Sequence, residues 1–105
     1  MAWFILLLAG LFEIVWAYCM KLSDGFSRPF ASMMTLIFMV LSFGLLAQAM
    51  KMLPLGTAYT IWTGIGAIGS FLLGLLVLGE PITGLRILAA LLIMSGLVLM
   101  KLVTV

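Results

Sequence analysis

The sequence predicts an all-α membrane protein: one domain, residues 1–105, built from four transmembrane helices. Two observations carry that prediction. The 105 residues are 67% hydrophobic and 8% charged, with a mean hydropathy of +1.45, which leaves too little polar surface to cover a water-soluble globule. The apolar residues also gather into four runs of about 20, the length a helix needs to cross roughly 30 Å of hydrocarbon. Helices are the open-chain way to satisfy backbone polar groups in lipid. A net charge of +2, from five cations and three acids, is too sparse for a nucleic-acid surface.

The first run spans about Ala2–Met20 and carries Glu13 near its middle. It has no basic leader and holds an acid inside it, so it is expected to be a retained helix and not a signal peptide. A carboxylate at that depth costs about 2.5–3.5 kcal/mol on insertion scales. Folding a membrane helix does not require it, so Glu13 is read as functional. A turn rich in polar residues, Lys21 to Pro29, closes the run. The second run, about Phe30–Ala49, is rich in Met and leads into Lys51-Met52-Leu53-Pro54. The third, about Thr57–Leu78, stops at Gly79-Glu80-Pro81, and the fourth covers about Gly84–Val103. Cys19 is the sole cysteine, so no intrachain disulfide exists.

Orientation is weakly marked. Lys51 and Lys101 fall on one side of the membrane, and Lys21, Arg28 and Arg86 on the other. The positive-inside rule needs a clear excess to choose a direction. Charge alone therefore leaves two options open: a single weakly determined topology, or insertion both ways so that two copies meet antiparallel.

Gly10, Glu13 and Ala17 share one helical face, with Trp16 beside them. The small residues are expected to leave room beside the carboxylate, and the Trp16 indole N–H is expected to donate to Glu13, one turn away. Trp3 fits an interfacial anchor. Tyr59 and Trp62 repeat the aromatic spacing in the third run, and an aromatic belt competes with a site role there. Ser42 is the deepest polar group of the second run. Its hydroxyl serves either its own i−4 carbonyl or the site. Met39 and Phe43 are packing residues or a deformable side portal toward lipid. Gly64, Gly66 and Gly69 mark close packing or a hinge, while Gly66, Ser70 and Gly74 form a small-residue stripe. Ala89 and Gly96, two turns apart, suit a helix–helix contact. Lys101 is expected to snorkel, although its stem has the length to turn toward a cavity, and Glu80 to act as a loop acid near Arg86. With no His and no Cys pair, neither enzyme chemistry nor a metal site is expected, and no cofactor.

These residues together resemble the small multidrug resistance family of bacterial transporters, over essentially the whole chain. Within it, the guanidinium-exporter subtype is the nearer match. The specific signs are Glu13 followed by Trp16, the loop from Lys21 to Phe26, and the string Gly56-Thr57-Ala58-Tyr59-Thr60-Ile61-Trp62-Thr63-Gly64-Ile65-Gly66. The multidrug subtype typically carries a small residue where this chain has Trp16. The resemblance implies a multi-pass protein of the bacterial inner membrane, acting as an antiparallel, dual-topology homodimer that exchanges protons for guanidinium cations. It implies two Glu13 carboxylates sharing one site, a surrounding network of Trp16, Ser42, Tyr59 and Trp62, and a hinge at Gly64–Gly66. Gly10 belongs with that network by its face, and Ala89 and Gly96 with dimer packing.

Two rivals remain at this stage. A quaternary-ammonium exporter of the same fold would use Glu13 with stacking on Trp16, Tyr59 and Trp62. A proton-conducting rotor or structural subunit would use the carboxylate without any substrate.

Overall fold

The computed structural model describes residues 1–103 and contains four helices: α1 (Ala2–Leu22), α2 (Pro29–Ala49), α3 (Leu55–Leu76) and α4 (Gly84–Val103). They run 20 to 22 residues each, and all four are long and apolar enough to cross a membrane. No strand occurs among the described residues. Four helices are what the sequence predicts, and local chemistry sets their ends. Pro29 occupies the first turn of α2, where a missing N–H costs nothing. Pro54 caps α3, which starts that helix two residues before Thr57. Beyond Val77 the backbone leaves the helix and reaches Gly79 at φ +71°, so α3 stops short of Leu78.

The α1–α2 turn is tight. The buried Ser23 donates its hydroxyl to the Met20 carbonyl at 2.6 Å and accepts the Phe26 N–H at 3.1 Å. Asp24, Gly25 and Phe26 all have positive φ. Glycine adopts that conformation freely, and its neighbours are held there by the turn.

α1 lies between α2 and α3, and α4 packs along α3. The chain forms a slab 42 × 34 × 16 Å, thin beside helices about 10–12 Å across. Its buried core is small: Leu6, Ala9, Leu46, Ala49, Ala58, Ile61 and Trp62. α4 has no buried residue.

The α1–α3 seam is made of reciprocal holes. A Cβ at Gly10 would fall 2.6 Å from Ile65 Cγ2, a Cβ at Gly69 would strike Ile14, and one at Gly66 would strike Glu13. On α3's other side, Gly64 receives Leu97 of α4. Missing side chains thus let parallel α1 and α3 approach closely, as small residues do between membrane helices.

The Gly10 contact gives a direct check. Gly10→Ala drives a new methyl into the stiff β-branched stem of Ile65 and is expected to cost about 1–3 kcal/mol. Gly44 faces open space, so Gly44→Ala is expected to be neutral or to gain up to about 1 kcal/mol from helix propensity. Thermal unfolding of the two variants in mild detergent measures both, and equal effects would disprove the seam.

Candidate functional site

Glu13 projects from the middle of α1 against Gly66 of α3. The room beside the carboxylate is opened by the bare backbone of Gly66, whereas Gly10, expected to supply it, is filled by Ile65. Glu13 Oε1 is buried and has no hydrogen-bond partner within the chain. An unmade bond at a buried polar atom is costly, so this oxygen is open to a group the chain itself does not supply.

The Trp16 indole does not answer it. Trp16 Nε1 is likewise buried without a partner, so the expected Trp16–Glu13 hydrogen bond is absent. The ring instead meets Phe43 of α2 edge-on, with centroids 6.2 Å apart at 76°, and that contact sets its orientation.

Ser42 does not bond its own i−4 carbonyl. Its hydroxyl donates to the Ala9 carbonyl of α1 at 2.7 Å and accepts the Trp62 indole N–H of α3 at 2.9 Å. Thr35 and Ser95, by contrast, bond their own i−4 carbonyls. One fully buried hydroxyl therefore ties three helices together, and it gives Trp62 the acceptor a buried indole needs.

The rings form a row: Trp16, Phe43, Trp62, Tyr59. Phe43 lies 5.7 Å from Trp62 at 62°, and Tyr59 lies 5.5 Å from Trp62 at 56°. Phe43 and Tyr59 are about half exposed, while Trp62 is buried. Met39 sits one turn before Phe43 on α2 and is partly buried.

Apart from Gly66, the remaining candidates lie outside this cluster. α3 runs unbroken through Gly64 and Gly66, which here are contact points. Ala89 and Gly96 are exposed on α4. Lys101 Nζ stands 5.0 Å from the centre of the Trp3 ring, and Trp3 is about 15 Å along the α1 axis from Glu13. Glu80 pairs with Arg86 at 3.1 Å, and its carboxylate also covers Gly74. Gly74 therefore receives a loop acid, not a helix. No group of three or more metal-binding side chains occurs among the described residues. Two contributors were missed by sequence reasoning: Gly66 as the seat of Glu13, and the Ala9 carbonyl as the Ser42 acceptor. A glycine at mid-membrane depth opposite a lone acid was the available signal for the first. The second left none, because every residue has a carbonyl.

The family model described as Small Multidrug Resistance protein matches residues 1–102. A guanidinium exporter of Yersinia pseudotuberculosis is 53% identical over 102 residues, covering 97% of this chain and 98% of the relative. A guanidinium exporter of Salmonella typhimurium is 52% identical, with 97% of each chain covered. That of Escherichia coli strain K12 is 48% identical over 104 residues, with 99% of each covered.

Ser42→Ala leaves the Trp62 N–H buried without an acceptor and is expected to destabilise the fold by about 1–3 kcal/mol. Ser42→Ala together with Trp62→Phe removes both partners and is expected to recover part of that loss. A double-mutant cycle on thermal unfolding reads the coupling, and strict additivity would contradict the bond.

Proposed function

The chain belongs to the small multidrug resistance family, and from that premise we propose that it exports guanidinium and small substituted guanidinium cations in exchange for protons. It is a transporter and a multi-pass protein of the bacterial inner membrane, with four spanning helices. The observation that carries the proposal is the Glu13 carboxylate at mid-membrane, seated on Gly66 with one oxygen unpartnered. Guanidinium is a flat cation whose paired N–H groups match the two oxygens of a carboxylate, a geometry ammonium cannot copy. The neighbouring aromatic row adds ring faces and edges, and cations are attracted to such faces. Curated relatives about half identical along their whole length carry the name guanidinium exporter.

The working unit in this proposal is an antiparallel homodimer. The slab-like chain, an α4 with no fully buried residue and the near balance of cations on the two sides all support it. Two inverted copies would supply the inverted repeat that many transporters carry within one chain. The two Glu13 carboxylates would then face one shared cavity, with Trp16, Ser42, Tyr59 and Trp62 around them. The unpartnered Trp16 N–H is available to a carboxylate of that pair or to nothing else in the chain.

Coupling follows from competition. Proton and cation seek the same oxygens, so each excludes the other, and their two protons titrate as steps of the pair. One further condition is enough: the empty, doubly charged site does not reorient. Proton entry then drives cation exit. Gly64 and Gly66 are the positions where α3 would bend between the two access states, Met39 and Phe43 the wall that would yield to an alkyl substituent, and Ala89 with Gly96 the α4 surface for the second copy. The half-exposed Phe43 and Tyr59 rings favour a second reading, export of quaternary ammonium cations by the same site.

Proton-gradient-driven guanidinium flux in liposomes tests the proposal. Glu13→Gln is expected to abolish it, and flux that survives would move the site elsewhere. Gly66→Ala, which pushes a methyl against the carboxylate, is expected to lower flux by at least about tenfold. Tetramethylammonium transport at a matching rate would favour the second reading.

A further inference from the structure

A groove of about 440 Å³ runs between α1, α3 and α4, and neither Glu13 nor the aromatic row lines it. It lies in one half of the membrane. Its outer end is formed by Trp3 and Lys101, and its inner walls by Leu6, Ile61, Ile65 and Leu97. The depth comes from the glycine seams: Ile65 sinks into the place of a Gly10 side chain, and Leu97 into that of Gly64. From Trp3 to the level of Gly10 is about 10 Å along α1, within the thickness of a single leaflet of a core roughly 30 Å across. Leu7, Val98 and Leu102 on the rim are about half exposed or more, so the groove opens outward to hydrocarbon.

Among the described residues Lys101 is the one charged group lining it. Its ammonium is held over the Trp3 ring, 5.0 Å from the centroid, at the depth where headgroups begin. Among the described residues the ion pair is Arg86–Glu80, at the opposite end of α4, and no carboxylate of those residues pairs with Lys101. An ammonium has three N–H donors, and the ring face occupies one side of it.

We propose that this groove is a binding site for one anionic phospholipid. The acyl chain lies along Leu7, Ile61, Ile65 and Leu97, and the phosphate accepts hydrogen bonds from Lys101. The match is one of charge and anatomy together: an apolar slot one leaflet deep with a cation at its wet end. A free phosphate would satisfy only the cation, and an uncharged lipid only the slot.

Native mass spectrometry of the full chain in mild detergent tests this without reference to guanidinium transport. The probes are phosphatidylglycerol and phosphatidylcholine with identical acyl chains, with glycerol phosphate as a chain-free control. Phosphatidylglycerol is expected to be retained about fivefold over phosphatidylcholine, the worth of one cation near the membrane surface. Lys101→Gln is expected to erase that preference and keep phosphatidylcholine retention. Val98→Phe, which adds bulk at an exposed rim position, is expected to lower retention of both. Equal retention of the two lipids by the native chain, or a preference that survives Lys101→Gln, would overturn the proposal, as would displacement by glycerol phosphate. A changed monomer–dimer ratio in either variant with lipid retention intact would assign the groove to contact between copies, and would also overturn it.

Discussion

Glu13 and the vacant side-chain position of Gly66 occupy the same point of the α1–α3 seam. A carboxylate in hydrocarbon needs space and either a proton or a cation beside it. A helix packed at ordinary distance offers no such space. Here the space exists because α3 presents bare backbone at that depth, and the flanking contacts of Gly10 with Ile65 and Gly69 with Ile14 hold the helices in that register. Knobs from both helices enter holes in the other. A shift of either helix by one residue would therefore close the seat of the acid along with its neighbours.

Polar groups elsewhere in the bundle are treated differently, and the contrast isolates the site. Ser23, Thr35 and Ser42 are fully buried, and each makes hydrogen bonds within the chain. Ser42 spends both its donor and an acceptor lone pair on neighbouring helices, which fixes the Trp62 ring and, through it, the row to Phe43 and Tyr59. Only Glu13 Oε1 and Trp16 Nε1 are buried and unanswered among the described residues. Two orphaned groups one turn apart, amid otherwise satisfied neighbours, are what the proposed shared site would complete.

α4 stands outside this arrangement. It leans on α3 through Leu97 in the Gly64 recess and has no fully buried residue. In lipid that is tolerable, because acyl chains are as apolar as leucine and exposure carries no hydrophobic cost. Its two ends differ: Arg86 is held by Glu80, the Pro81 carbonyl and the Phe71 ring, while Lys101 is held by an aromatic face. The first end is held by a loop acid, and the second by the Trp3 ring of α1.

The sequence alone determined the four spans, the isolation of Glu13, the faces shared by Tyr59 with Trp62 and by Trp16 with Glu13, and the family resemblance. Run length, charge placement and the 3.6-residue period are properties of a single helix, so they are legible without a partner. Tertiary structure decided which face meets which. It set the Trp16 ring against Phe43 with no hydrogen bond to Glu13, sent the Ser42 hydroxyl to the Ala9 carbonyl, and made Gly66 the seat of the acid where Gly10 had been expected. It also placed the Gly64 and Gly66 backbones in contact within an unbroken α3. Those outcomes depend on the rotation and axial register between helices, and periodicity within one helix carries no information about either. They were settled by where bulk could enter a neighbour's glycine, a matter of two surfaces meeting.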